Sequence, residues 1–255
     1  MNKQLYYKLY FLKNRILPNK VYSAEKLEIK KRSNFYAQFI QKGDLVFDIG
    51  ANMGNRVASF VALGARVIAV EPQTDCCIFL RERFGNNITV VGKGVGDRDD
   101  ILDFYVADSN ILSTFSKERI DQLKPGRFAE HSWQKAEKIA ITTLDNLIEF
   151  YGVPSFIKID VEGMEPEVLR GLSQKVRWIS FEFTVPEETD KLLNCMEQVC
   201  RIDENAEFNY SPGETMELGL QEWFRFEQMA IYIRSRKFVD ASWGDIYVRN
   251  KILNK

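Results

Sequence analysis

The stretch VFDIGANMGN, residues 46–55, decides the fold of this 255-residue chain. It begins as an apolar strand, reaches Asp48 and then passes through Gly50 and Gly54, which lie four positions apart. Glycine lets the backbone turn sharply and approach a ligand with no Cβ atom in the way, and asparagine, here Asn52, also tolerates left-handed geometry. The stretch therefore predicts a tight, ligand-facing turn between a strand and a helix.

Apolar strands and amphipathic helices alternate along most of the chain. The predicted strands that follow this pattern are 45–50, 66–72, 88–96, 156–163 and 178–184, and the predicted helices are 53–62, 73–84, 142–151 and 165–172. Beyond them the sequence predicts a helix at 187–200, a strand at 206–211, a helical stretch at 215–236 and a last strand at 245–250. Such alternation is typical of parallel βαβ units with helices on both faces of one sheet, which is an α/β fold.

The chain divides into an N-terminal basic helical extension, residues 1–42, and a single large domain, residues 43–255. Within the extension, residues 23–41 predict a helix with one apolar face. The residues of that face are Leu27, Phe35, Phe39 and Ile40. Residues 1–32 hold nine Lys and Arg against two Glu, a net charge of +7. Such an arm suits a peripheral membrane surface or a protein partner, and the alternative is a solvated helix over one edge of the domain.

Composition excludes several classes of protein. The chain is 28% charged and 45% apolar with a net charge of −1, so it is globular and has no overall attraction to nucleic acid. Its four cysteines lack the CxxC pairs of a zinc site and the density of a disulfide scaffold. No apolar run reaches the roughly 18 residues of a membrane span. We therefore expect a cytoplasmic protein with reduced thiols.

Spacing separates the ligands that such a glycine turn can serve. A P-loop needs GxxxxGK[ST], but Asn55 stands five residues after Gly50. The dinucleotide pattern GxGxxG needs glycines at 52 and 55, and both positions are asparagine. A phosphate ligand is therefore disfavoured. S-adenosylmethionine fits better, because it has a ribose, no phosphate, and a sulfonium and an ammonium that acidic residues attract.

The next two strand ends supply further candidates for cofactor binding. The second strand ends in Glu71 and Pro72, and a carboxylate there can accept hydrogen bonds from both ribose hydroxyls. Dehydrogenases place an acid similarly, so Glu71 alone indicates only an adenosine-type ligand. After the third strand, Val95 is placed to pack on the adenine and Asp97 to accept from its amino group.

The fourth strand, IKIDVEG, contains charged residues where a central strand is normally apolar. Burying Lys158, Asp160 and Glu162 costs several kcal/mol unless they are paired or used. Asp160 is the candidate catalytic base or sulfonium-facing acid, with Glu162 orienting it or the acceptor. A structural ion pair is the alternative role of Lys158. Hard oxygen ligands suit a divalent cation here, but no third acid has an assured position, so no metal site is predicted.

Residues 108–140 have no clear hydrophobic periodicity, and we interpret them as a substrate-facing insertion. They contain the only histidine, His131, which is an alternative base. The aromatic residues Phe115, Phe128 and Trp133 are candidates for stacking on an acceptor, or for packing the insertion onto the domain.

Taken together, the motifs LVFDIGANMGNRVASFVALGARVIAVEP, TTLDNLI, IKIDVEGMEPEVLRGL and WISFEFT resemble the FkbM-type family of S-adenosylmethionine-dependent methyltransferases. The resemblance covers roughly residues 43–185. It implies a class I methyltransferase (Rossmann-like) fold, with a mostly parallel seven-stranded sheet whose last strand is antiparallel. It also implies methyl transfer to a hydroxyl of a sugar, glycan or secondary-metabolite acceptor.

The resemblance carries particular residues over to this chain. The first cofactor motif matches Asp48, Gly50, Ala51, Asn52 and Gly54, the ribose acid matches Glu71, and KIDVEG matches throughout. In the adenine motif, Gly96 stands where the family usually has serine. Two other functions stay open at this point: a nicotinamide-dependent oxidoreductase, and a non-catalytic cofactor-binding module that recruits partners through the basic arm.

Overall fold

A computed structural model describes residues 3–7, 11, 20–107, 114–115, 120–121, 130 and 132–250. The strands of these residues are β1 (Leu45–Ile49), β2 (Arg66–Val70), β3 (Ile88–Val91), β4 (Gly94–Val95), β5 (Asp100–Ala107), β6 (Trp133–Thr142), β7 (Phe156–Ile159), β8 (Trp178–Thr184), β9 (Glu207–Pro212) and β10 (Trp243–Arg249). The helices are α1 (Lys20–Tyr36), α2 (Asn55–Ala62), α3 (Thr74–Phe84), α4 (Leu144–Tyr151), α5 (Glu165–Arg170), α6 (Thr189–Ile202), α7 (Phe226–Tyr232) and α8 (Arg236–Val239). Residues 3–7 are also helical. No helix in these ranges is both long enough and apolar enough to span a membrane.

Seven strands form one sheet in the order β3-β2-β1-β7-β8-β10-β9. The pairs among β3, β2, β1, β7 and β8 are parallel, whereas β10 is antiparallel to both of its neighbours. The predicted α/β class, with a mostly parallel seven-stranded sheet and an antiparallel last strand, is confirmed. Because β1, β2 and β7 are parallel neighbours in register, their carboxyl ends meet at one edge of the sheet, where Gly50, Glu71 and Asp160 follow.

Helix α1 contacts the core only through its carboxyl-terminal end. Phe35 and Phe39 are buried, and the ring of Phe39 stacks on Phe156 and Tyr247. Leu27 is 69% exposed, so its predicted place on the apolar face was wrong. The sheet is thus contacted by the last turn of the helix and by the residues directly after it, and nearer the start of the helix Glu25 pairs with Arg83 of α3.

The insertion contains a strand that the sequence did not predict. Strand β6 pairs antiparallel with β5 and parallel with β4 in a separate three-stranded sheet. Among the β6 side chains that the structure describes, Glu137, Lys138 and Ala140 are exposed, and Ile141 and Thr142 are buried. These side chains do not alternate between exposed and buried, and their pattern therefore gave no strand signal.

The stretch 215–236, predicted as helical, is helical only in α7 and α8. Residues before Phe226 run beside β9 instead, where Phe224 and Phe208 exchange backbone hydrogen bonds of 2.9 and 2.7 Å. The backbone amide of Leu220 donates to Asn209 Oδ1 at 3.1 Å. These groups find partners on the sheet edge, so a helix is not needed to satisfy them.

Candidate active site

A cavity of about 360 Å³ lies at the carboxyl ends of β1, β2 and β7. The residues predicted from the sequence that line it are Asp48, Gly50, Ala51, Asn52, Glu71, Pro72, Val95, Asp160 and Glu162. Three separate parts of the chain thus bring carboxylates to one cavity, as expected for parallel strands that end at the same edge.

The turn after β1 explains why position 50 is glycine. Gly50 has a φ of 83°, and a Cβ atom on it would lie 1.8 Å from the carbonyl oxygen of Asp160. The amides of Gly50 and Ala51 both donate to the carbonyl of Val70, at 2.9 and 3.1 Å. Asn52 is left-handed as well, with a φ of 46°. The turn is therefore held against the ends of both β2 and β7 by bare main chain.

Glu71 connects this turn to the end of β2. Its two carboxylate oxygens accept from the amides of Asn52 and Gln73, both at 2.8 Å. Burial raises the pKa of Glu71 to about 7, and these backbone hydrogen bonds oppose the rise. The side chain of Gln73 is a further donor to Glu71. An ionised carboxylate has about four acceptor positions, so Glu71 keeps acceptor capacity for a donor in the cavity.

Asp48 brings an unsatisfied oxygen to the cavity wall. It is 2% exposed, and its Oδ2 atom has no hydrogen-bond partner among the described residues. Burial raises the pKa of Asp48 to about 7, against the lowering effect of Lys158 and Arg56. A buried acceptor without a donor is costly, and a cationic ligand group would satisfy it.

These two carboxyls predict a pH-dependent stability of the free protein. Their pKa is about 7 in the folded state and near 4 in the unfolded chain, so the folded state binds their protons more tightly. This contribution to the free energy of unfolding is present below about pH 4 and is lost as the pH rises to about 7. We expect Asp48→Asn to lessen the loss of stability between pH 5.5 and pH 8 by roughly 2 kcal/mol, measured by urea unfolding. Equal pH dependence in the two proteins would contradict the buried, protonated state of Asp48.

The side chain of Asp160 is held by a buried lysine. Lys158 is 1% exposed, and its Nζ atom lies 3.3 Å from Asp160 Oδ2 and 2.9 Å from Asp245 Oδ1. Asp245 lies on β10, two strands away in the sheet. Asp160 itself keeps 35% of its side chain exposed and lines the cavity, so it is available to a ligand.

Asp160 is one of three carboxylates that lie close together in the cavity lining. One oxygen from each of Asp160, Glu162 and Glu182 lies within 4.8 Å of the others. Burial raises the pKa of Glu182 well above its usual range, and the nearby acids Asp160 and Glu162 add to this rise. Hard oxygen atoms of this kind are the ligands that Mg²⁺ and Ca²⁺ prefer. Glu182 is the third acid that could not be placed from the sequence.

The loop that carries Glu162 is fixed from both sides. Glu162 has a left-handed φ of 54°, and its carbonyl oxygen accepts from Thr114 Oγ1 at 2.8 Å. Below it, Glu165 Oε1 accepts from the amides of Val161 and Gly163 at 3.2 and 3.1 Å. Contact with the described part of the insertion and with the start of α5 thus holds the loop in place.

A family model of the methyltransferase FkbM domain matches residues 48–238, which include the carboxyl ends of β1, β2 and β7. The chain belongs to the FkbM methyltransferase family. The resemblance drawn from the motifs is confirmed, and with it the class I methyltransferase fold. No curated protein sequence matches the chain.

Three solved structures that are similar to this FkbM-family chain are distant in sequence. A TehB-like SAM-dependent methyltransferase from Corynebacterium glutamicum is 11% identical over 97% of this chain and 98% of its own, with a TM-score of 0.44. A precorrin-6y C5,15-methyltransferase from Geobacter metallireducens is 12% identical over 87% of each chain, with a TM-score of 0.41. An rRNA methylase from Streptococcus thermophilus is 12% identical over 92% of this chain and 99% of its own, with a TM-score of 0.41. The family match, and not these likenesses, carries the assignment as a methyltransferase.

Three predicted cofactor residues are not among the residues that line the cavity: Gly54, Gly96 and Asp97. Gly54 precedes α2 with a φ of 77°, and a Cβ atom there would lie 2.6 Å from the ring of Phe84. A Cβ atom on Gly96 would lie 3.1 Å from Cγ2 of Ile141. Asp97 pairs with Arg98 and Arg170 at 3.7 and 3.9 Å. Packing thus limits the side chain at positions 54 and 96, and cofactor binding by Gly54, Gly96 and Asp97 stays a prediction.

The cavity is also lined by residues that the sequence reasoning missed. Arg56 and Glu214 both line the cavity and form a bidentate pair with distances of 2.9 and 2.6 Å. Trp243 lines it with 38% of its surface exposed. Of the predicted aromatic residues, Phe115 lines the cavity, whereas Phe128, His131 and the side chain of Trp133 fall outside the described residues. The available signal was weak, because Arg56 lies in the first motif but carries no charge pattern that marks a site, and Glu214 lies in a loop outside every motif.

Proposed function

We propose that this FkbM-family chain is an S-adenosylmethionine-dependent O-methyltransferase that acts on a hydroxyl of a sugar, glycan or secondary-metabolite acceptor. The observation that carries the proposal is the convergence of Asp48, Glu71 and Asp160 on one cavity beside a turn of bare main chain. A cationic nucleoside without phosphate is the ligand that this combination of groups suits best.

The residues present fit the cofactor group by group. The orphaned Oδ2 atom of Asp48 would accept from the ammonium, and the spare acceptor positions of Glu71 would bind the ribose hydroxyls. Val95 is 3% exposed and offers an apolar surface to the adenine. Because Gly50 has no Cβ atom, the turn can lie against the backbone of Asp160, and both line the same cavity. Asp48 and Glu71 are hence best suited to a ligand that donates hydrogen bonds.

Asp160 is the proposed base. S-adenosylmethionine, when bound, supplies a methyl group for in-line displacement by an acceptor oxygen. The carboxylate of Asp160 would take the hydroxyl proton, because it lines the cavity and remains accessible while Lys158 holds one of its oxygens. Glu162 and Glu182 would orient the acceptor hydroxyl by accepting hydrogen bonds from neighbouring donor groups.

Calorimetric titration tests the cofactor assignment. We expect S-adenosylmethionine and S-adenosylhomocysteine to bind with micromolar dissociation constants, and a nicotinamide dinucleotide not to bind, because no glycine-rich phosphate cradle is present in the β1 turn. Binding of the dinucleotide alone would establish an oxidoreductase instead. Labelled cofactor incubated with cell extract then separates an enzyme from a pure binding module, since only an enzyme leaves a labelled product.

We infer also that the enzyme acts in the cytoplasm, where thiols stay reduced. All four cysteines are free, and three of them, Cys76, Cys77 and Cys195, are buried. The basic segment of residues 1–32 is proposed as a contact for a protein partner or a membrane surface. Part of its charge is already balanced within the chain, since Arg32 lies 3.5 Å from Glu214.

A further inference from the structure

Lys158 is a fully buried cation, and it has no direct role in the proposed methyl transfer. It lies in β7, in the middle of the sheet, with Asp48 of β1 and Ser180 of β8 as its neighbours in register. Burial lowers the pKa of Lys158, but the carboxylates of Asp160 and Asp245 outweigh burial and raise it. Lys158 is therefore charged at neutral pH, and its ammonium is shared between the candidate base and an acid on β10.

Asp160 needs this cation because of its other neighbours. Glu162 and Glu182 each place a carboxylate oxygen within 4.8 Å of the Asp160 carboxylate. The like charges of Asp160 and Glu162 repel each other at this distance, and Asp160 is 35% exposed, so its side chain has a route outward into solvent. Without an opposing charge, the Asp160 carboxylate would rotate away from Glu162.

The anchor of the lysine is independent of the ligand. Asp245 is 5% exposed and lies directly opposite Glu182 in the β8–β10 pairing. Its Oδ1 atom is 2.9 Å from Lys158, and its Oδ2 atom is 3.9 Å from Arg56. Lys158 is thus held by a buried acid that does not line the cavity, and its ammonium can in turn hold Asp160.

We propose that Lys158 is a positioning residue, which holds Asp160 Oδ2 in an ion pair anchored by Asp245 and so keeps the other carboxylate oxygen facing the ligand against the repulsion of Glu162. The inference rests on the proposed function, in which Asp160 would lie near the sulfonium of bound S-adenosylmethionine as well as near the acceptor hydroxyl.

A double-mutant cycle on ligand affinity tests this role without an acceptor. The probes are S-adenosylmethionine, which carries the sulfonium, and S-adenosylhomocysteine, which is neutral there. The measured quantity is the dissociation constant of S-adenosylmethionine divided by that of S-adenosylhomocysteine, each determined by calorimetry. We expect Asp160→Asn to raise this ratio on the order of tenfold in the wild-type background, because a carboxylate near the sulfonium is lost. In the Lys158→Met background we expect the same change to raise it less than about threefold, because the carboxylate is already displaced.

A second background guards against misfolding. Lys158→Met leaves Asp245 buried without its closest cation, so the cycle is repeated with Lys158→Met combined with Asp245→Asn, which removes that unpaired charge. The matched control is Lys175→Met. Lys175 pairs at 3.0 Å with Asp203, which is 2% exposed, and neither residue lines the cavity. This control is expected to lower stability and leave the affinity ratio unchanged.

The outcomes separate the inference from the proposed function. If neither probe binds the wild-type protein, the proposed function fails and the inference fails with it. If both probes bind and Asp160→Asn changes the affinity ratio equally in all backgrounds, only the positioning role is overturned. The same holds if Asp160→Asn leaves the ratio of the wild-type protein unchanged. A crystal structure of the Lys158→Met and Asp245→Asn variant in which the Asp160 carboxylate has not moved would overturn it as well.

Discussion

Asp160→Asn is expected to reduce methyl transfer by about 10²- to 10⁴-fold while the protein stays folded, because an amide cannot take the hydroxyl proton. Asparagine has nearly the same shape as aspartate, and Lys158 keeps its second partner, Asp245, at 2.9 Å. The side chain at 160 is also partly solvated, so its replacement leaves no buried cavity. The measurement is the rate of transfer of labelled methyl from saturating S-adenosylmethionine into an acceptor fraction of cell extract.

The control for this substitution is Asp103→Asn. Asp103 is also an aspartate paired with a lysine, Lys138, at 3.4 Å, but it lies on β5 and does not line the cavity. We expect this variant to transfer methyl at the wild-type rate. Undiminished transfer by Asp160→Asn, measured beside the same control, would show that the proton goes elsewhere, and His131 would become the next candidate.

Gly50→Ala is expected to remove cofactor binding and to destabilise the protein. The new Cβ atom would lie 1.8 Å from the carbonyl oxygen of Asp160, a distance that no packed structure permits, and a φ of 83° is strained for alanine. Because the obstacle is backbone and not a flexible side chain, the turn or the end of β7 must shift. We expect the affinity for S-adenosylmethionine to fall at least about 100-fold and the free energy of unfolding to fall by more than about 2 kcal/mol.

Gly43→Ala is the matched control for the backbone strain. Gly43 has a φ of 89°, but a Cβ atom there would meet nothing within 4 Å. The cost is then only that of the left-handed conformation, about 1–2 kcal/mol, with no change in cofactor affinity. Calorimetry and thermal unfolding of both variants compare the two cases. If both variants lost the same affinity for S-adenosylmethionine, backbone strain would account for the loss, and the close approach of Gly50 to Asp160 would not.

The parts of the fold with strong local patterns were predictable from the sequence. Strand β8 has the predicted bounds 178–184, and β1 and β2 end within two residues of their predicted ends. Strand β7 ends four residues before its predicted end, and the strand predicted at 88–96 splits into β3 and β4. Buried parallel strands are continuous apolar runs, and the acids and glycines that interrupt them mark their ends. Strand β6 and the segment before α7 were missed, because their backbone partners come from β5 and β9 and not from their own sequence pattern.

By itself the sequence determined which strand ends carry acids and bare turns, and it therefore determined the sheet, the family and the place of the cavity. Only the tertiary structure decided which distant charges complete the site. Asp245 is brought to Lys158 and Arg56 to Glu214, the second pair across 158 residues of chain. Glu182 joins Asp160 because β7 and β8 are neighbours in the sheet. Strand periodicity and strand ends are local properties of a chain, whereas the partner of a buried charge depends on which strands lie side by side.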